Sequence, residues 1–218
     1  MTAVSSKSRT IKTVPGDIFT ALAPPNLPTS DVSSKRRIVL IHACNTIGSW
    51  GAGIALAFKE RFPEHFEVYR QWCLTHRPIE NSQARGRGKG GRGRTEISTR
   101  VGHNTKTHGS GSPSLLGTCL LIPPPDIGIT NLEVHIACLF TSKVYGRNKD
   151  TPDEILAATK DALVDLQRQL QTQDSGSAPP WELHACRFNS GKFGVPWERS
   201  VAIVEELGIH MTVYVPPE

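Results

Sequence analysis

Two short stretches hold most of the residues in this chain that could grip an anion. HACNTIGSWGAGIA spans residues 42–55 and NSGKFGVPW spans 189–197. Each follows an apolar run and precedes a helical pattern. A strand–glycine–helix turn leaves main-chain N–H groups free, and the helix dipole favours negative charge at that end. Glycine allows φ > 0 and lets the backbone approach a ligand closely. Two such turns could hold two phosphates, or one diphosphate from both sides. The first stretch is neither GxGxxG nor GxxxxGKS/T, so it supports neither a dinucleotide dehydrogenase nor an NTPase.

His42 ends the apolar run before the first turn. Imidazole titrates near neutrality, so it could attack phosphorus or take a proton from an attacking water. The sequence does not choose between these roles, and a lone strand histidine is as readily a core residue. Such chemistry calls for an acidic partner. Asp150, in the loop after a second apolar run, is the candidate; its rival role is to complement a helix dipole. Lys143, Tyr145 and Arg147 share that loop and could touch phosphate. Cys44 follows His42 by two positions, but a phosphate monoester needs no thiol nucleophile. No group of His, Cys, Asp or Glu has metal-ligand spacing, so neither metal nor organic cofactor is expected.

The elements that must position these residues alternate. Residues 11–19 read as a short strand with a turn at Pro15-Gly16-Asp17, and 38–41 as a strand buried on both faces. Helices are expected from Ile54, with Phe58 and Phe62 on one face, and from Pro63. Strands follow at 119–122 and 134–140. Thr151-Pro152-Asp153-Glu154 is a helix start with a capping box. A strand at 183–188, a helix at 197–207 and a strand at 211–214 complete a sheet flanked by helices. Residues 23–37 read as a polar connector, and 1–10 as a loose tail.

The chain has 218 residues and a formal net charge of +5. That charge is local: residues 77–113 carry eight Lys and Arg against Glu80 and Glu96, leaving the remainder close to neutral. RGRGKGGRGR has nothing apolar to bury, so a disordered insertion is expected. A weak RNA contact through 85–94 is one reading. A solvated loop is the other, favoured because no aromatic interleaves the arginines. The five cysteines lack a CxxC pair, which argues for a reducing, intracellular setting, cytoplasmic or nuclear. No apolar run is long enough for a membrane span.

The motifs GDIF (16–19), LIHACN (40–45), GSWGAGIA (48–55), LLGTCLLIP (115–123), CLFTS (138–142) and NSGKFGVPW (189–197) resemble those of the macrodomain family. Within it the chain looks most like the fungal ADP-ribose 1''-phosphate phosphatases. The resemblance implies a single three-layer α/β/α macrodomain with a mixed central sheet over 11–217, interrupted at 77–113. It implies hydrolysis of ADP-ribose 1''-phosphate, a by-product of tRNA splicing, by a monomer that takes a small-molecule substrate. The alternatives are a hydrolase removing mono-ADP-ribose from proteins and a non-catalytic ADP-ribose-binding module.

By the same resemblance, Asp17 would accept from the adenine amino group, with Ile18 packed on the ring; an Asx-turn role competes. Gly48, Gly51, Ala52, Gly53 and Ile54 would form the first phosphate loop, and Ser190, Gly191, Lys192, Phe193 and Gly194 the second. Phe193 would face the distal ribose, against plain core packing. Asn45 would hydrogen-bond that ribose, against capping its own turn. His42 would act on the 1'' phosphate. Trp50 and Trp197 would be structural or form a pocket wall.

Overall fold

A computed structural model describes residues 10–23, 35–76, 114–125 and 131–216. The basic insertion at 77–113, the loose tail up to residue 9 and most of the polar connector lie outside the described residues. In chain order the elements are β1 (Ile11–Pro15), β2 (Arg36–Asn45), α1 (Ile54–Arg61), α2 (Pro63–Thr75), β3 (Cys119–Ile122), β4 (Leu132–Ser142), α3 (Pro152–Thr172), β5 (Trp181–Cys186), α4 (Trp197–Glu206) and β6 (Met211–Val215). The sheet runs β1-β6-β5-β2-β4-β3. Every pairing is parallel except β3 against β4.

Parallel central strands must be covered on both faces, and side chains alternate between those faces. Ile38, Leu40 and Cys44 point to one side, where Phe58 of α1 and Tyr69 and Cys73 of α2 close over them. Val39 and Ile41 point to the other, against Ala162, Leu163, Leu166 and Leu170 of α3 and Val204 of α4. The result is the α/β/α sandwich expected from the alternating pattern.

α3 begins where the capping box predicts. Thr151 accepts from the Glu154 N–H, and the Glu154 side chain accepts from the Thr151 N–H at 2.8 Å. Such a cap contributes about 1 kcal/mol. One expectation fails at β2. Arg36 and Arg37, assigned to the connector, open the strand. Partners at both sites explain this: Arg36 forms a two-pronged pair with Glu182 (2.9 and 2.6 Å), and the Arg37 guanidinium lies 3.4 Å above the Trp181 ring. Paired and stacked guanidinium groups lose little on leaving water.

At the cleft end of β2 the register slips. Cys44 pairs with Phe140, but Asn45 pairs with Ser142. Thr141 is thus an extra residue in β4, a bulge of the kind that re-aims side chains beside functional sites. Beyond it, the β4–α3 connection runs from Lys143 to Asp150.

Candidate active site

The C-terminal ends of β2, β4 and β5 frame a cleft of about 700 Å³, a size suited to a small ligand. Its walls come from loop 1 (46–53), the start of α1, Tyr145 and Gly146 of the β4–α3 connection, and loop 2 (187–196). Among the described residues, Arg187 and Lys192 are the charged side chains lining it, and no carboxylate does.

Loop 1 hangs on the Asn45 amide. Oδ1 accepts from the N–H groups of Ile47 (3.1 Å) and Ser49 (3.2 Å), and Nδ2 donates to Ser49 O at 2.7 Å. The Tyr69 hydroxyl donates to the Asn45 carbonyl at 2.6 Å. Asn45 therefore caps its own turn; its Oδ1 is taken, while its second Nδ2 hydrogen has no partner among the described residues and Asn45 itself lines the cleft. The capping role weighed for it is present, since a short amide at a strand end reaches its own following N–H groups first, and a ribose contact is left to the second Nδ2 hydrogen. Gly48 is reassigned. With φ +81 and a Cβ position 3.3 Å from Cys73 Cβ, it lets loop 1 settle on α2 and does not line the cleft. Gly51, Ala52, Gly53 and Ile54 do line it. Gly53 has φ +58 and starts α1 without a side-chain cap, so the first helical N–H groups stay open towards the cleft.

Loop 2 hangs on Asn189, a non-glycine residue at φ 66. It is 3% exposed. Its Oδ1 accepts from Thr141 Oγ1 (3.0 Å), and its Nδ2 donates to Thr159 Oγ1 (2.8 Å) and towards Ser200 Oγ (3.5 Å). The bulged Thr141 thus anchors the second loop. Gly191, Lys192 and Phe193 line the cleft, and their N–H groups donate to no backbone carbonyl among the described residues. Phe193 does both things considered for it, facing the cleft and packing on Ile155, Leu156 and Val195. Ser190 and Gly194 shape the turn but do not line the cleft; the buried Ser190 Oγ has no partner among the described residues.

The expected catalytic pair is not brought together. His42 is 0% exposed. Its ring stacks on Phe58 at 4.2 Å and 14°, and meets Trp50 edge-on at 4.8 Å. Strand alternation turns it towards α1, and the Trp50 ring it meets is itself part of the cleft lining. Asp150 closes the base of the β4–α3 connection. Its Oδ2 accepts from Ser142 Oγ (2.9 Å) and the Lys143 N–H, and Oδ1 pairs with Lys143 Nζ at 3.1 Å. Burial opposes its charge, but these donors outweigh it and hold the carboxyl below its ordinary value. Neither residue is among the other's contacts.

His42, Cys44 and Cys138 do gather, with donor atoms within 4.8 Å of one another. Cys44 Sγ lies 3.7 and 3.6 Å from the two ring nitrogens. In the ring plane those distances would press the sulfur into Cε1, so it sits over the ring face, off both lone pairs. The group is a core contact rather than a metal cage.

Asp17, the residue expected at the adenine, is exposed, and its Oδ1 accepts from the Phe19 N–H at 3.0 Å. Ile18 is 1% exposed in the core, so its expected place on a purine ring is corrected. The short helical turn that starts there swings it inward. Trp197 packs on Phe188 at 5.2 Å. Arg187, Asn189, Thr141 and Lys149 were not singled out from the sequence. Only Asn189 left a signal: asparagine before a glycine turn tolerates the left-handed backbone.

No protein-family model matches the chain. Solved structures with the same fold include the macrodomain of Mycobacterium tuberculosis DarG, with TM-score 0.54 and 19% identity, covering 95% of this chain and 98% of that one. Thermosipho africanus DarTG in complex with ADP-ribose matches with TM-score 0.52 and 14% identity, over 96% of this chain and 42% of that one. The fold is that of a macrodomain. Curated relatives narrow it further. The ADP-ribose 1''-phosphate phosphatase of Neosartorya fischeri is 39% identical over 185 residues, 81% of this chain and 86% of its own. The protein of the same name from Aspergillus fumigatus is 40% identical over 185 residues, with the same coverage. That from Debaryomyces hansenii is 33% identical over 217 residues, 94% of this chain and 98% of its own. The chain belongs to the ADP-ribose 1''-phosphate phosphatase family.

Proposed function

We propose that this protein hydrolyses ADP-ribose 1''-phosphate to ADP-ribose and inorganic phosphate. The observation that carries the reading is a single groove, free of carboxylates, faced by unpaired N–H groups from two loops. A diphosphate laid across it would accept from the start of α1 on one side and from Gly191–Phe193 on the other. Arg187 and Lys192 add positive charge. Asp17 would take the adenine amino group at the same sheet edge. Relatives of the same name support the substrate. An intracellular monomer fed by tRNA splicing completes the reading.

In the reaction a water oxygen bonds to phosphorus while the bond from phosphorus to the sugar oxygen breaks. The water loses a proton to a base and the departing oxygen gains one. Charge grows on phosphoryl oxygens, where fixed N–H donors stabilise it without reorganising. Asp150 and His42 are the proposed proton carriers. Neither side chain lines the cleft, so their use requires the Tyr145–Gly146 segment or the Trp50 indole to shift on binding.

Phosphate release from ADP-ribose 1''-phosphate tests this directly. His42→Ala and Asp150→Ala are each expected to lower kcat while ADP-ribose affinity stays within about threefold. A second reading, an ADP-ribose binder without turnover, is favoured by the burial of His42. Tight binding with no release of phosphate, and none of ADP-ribose from a modified protein, would establish it and end the phosphatase reading.

A further inference from the structure

A carbonyl and the N–H of the following residue share one peptide plane and point in opposite directions across a trans bond. In loop 2, each N–H therefore aims away from whatever holds the carbonyl behind it. The Gly191 carbonyl accepts from the Gly194 N–H at 3.1 Å. That turns the Lys192 N–H out of the turn. The Lys192 carbonyl finds its partner on another element: Lys149 Nζ, from the β4–α3 connection, donates to it at 3.3 Å. The Phe193 N–H must then point away from Lys149.

Gly194 makes room for this contact. A Cβ built there would stand 3.3 Å from Lys149 Nζ, on a backbone with φ +70. Lys149 is half-buried and does not line the cleft, whereas Lys192 and Phe193 do. The neighbouring Asp150 is paired with Lys143, and no carboxylate pairs with Lys149 among the described residues. Its ammonium is thus committed to loop 2.

We propose that Lys149 is a positioning residue, which holds the Lys192 carbonyl so that the Phe193 N–H faces the cleft as a donor to a substrate phosphate oxygen. The proposal rests on the reading of the cleft as a phosphate site. It links the β4–α3 connection to the chemistry: whatever orders Lys149 also orders the phosphate donor.

The test compares Lys149→Met and Lys149→Arg in the full chain. ADP-ribose is titrated by calorimetry, phosphate release gives kcat and KM, and the Phe193 amide resonance is followed through the titration. Lys149→Met should weaken ADP-ribose about tenfold and lower kcat/KM at least as much, with a Phe193 amide that no longer responds to ligand. Lys149→Arg keeps a donor in reach and should recover both to within about threefold. A Phe193 amide that responds equally in wild type and Lys149→Met overturns the proposal, as does Lys149→Arg behaving like Lys149→Met. Should Lys149→Met fail to fold, Gly194→Ala, which crowds the ammonium, must produce the same silent amide; a responsive one overturns the proposal. If wild type binds ADP-ribose but releases no phosphate, the phosphatase reading falls, while the amide response still decides the role of Lys149.

Discussion

The two loops of the cleft do the same work from opposite foundations. Loop 1 rests on aromatic packing: Trp50 stacks on Tyr69 at 5.0 Å and lies 5.6 Å from Phe66, with Phe58 beneath. Loop 2 rests on a buried polar knot of Thr141, Asn189, Thr159 and Ser200. Each is held by an asparagine amide, with both Nδ2 hydrogens of Asn189 and one of Asn45 bonded internally. An apolar base tolerates small shifts, because many weak contacts share the load. A polar base is directional and loses most when one member goes.

That contrast can be broken experimentally. The largest effect is expected from Asn189→Ala. It strands the hydroxyl of Thr141 in the core and puts alanine at a left-handed backbone position. We expect a loss of about 3 kcal/mol in urea unfolding, and ADP-ribose binding too weak to measure by calorimetry. Asn45→Ala should cost less, about 2 kcal/mol, because Ser49 and Ile47 can turn to water while the aromatic base remains. Tyr69→Phe removes the 2.6 Å hydroxyl contact to the Asn45 carbonyl but leaves the ring stack intact. About 1 kcal/mol is expected, with ADP-ribose affinity nearly unchanged.

The smallest effect is one of pH, and it falls on α2, the helix that carries Phe66 and Tyr69 of the loop 1 base. Burial foremost, with His135 nearby, holds the His65 imidazole of α2 below its ordinary value of 6.5, despite Glu64. Above that value the folded and unfolded chains are both neutral at this site. Below it the unfolded chain takes up a proton first, so stability falls as acid is added. His65→Gln should make this slope shallower in urea midpoints measured from pH 7 downwards, with His135 and His184, also held low by burial, keeping the rest of it. The hydroxyl–amide knot under loop 2 contains no group that titrates there.

Much of this was legible beforehand, for identifiable reasons. Apolar runs, the capping box and the two glycine turns are local signals, and they gave the sandwich and the edge that carries the cleft. Gly51–Ile54 and Gly191–Phe193 line the cleft because a strand–glycine–helix turn fixes its own geometry. His42, Asn45, Gly48, Asp150 and Ile18 behaved differently, since their roles depend on neighbours distant in sequence. No spacing shows that Phe58 will stack on an imidazole, or that Ser142 and Lys143 will occupy a carboxylate. Thr141 and Lys149 were invisible for the same reason: a bulge and a cross-loop contact exist only once strands have paired.

Asp17 sits just past β1, and β1 has one partner in the sheet, β6. Ile11 pairs with Met211, and Gly16 N–H donates to Val215 O at 2.8 Å. The strand that leads into Asp17 is therefore moored to the sheet through a single ladder. Fraying of that one edge ladder would displace the Asp17 carboxylate while the central strands stay paired.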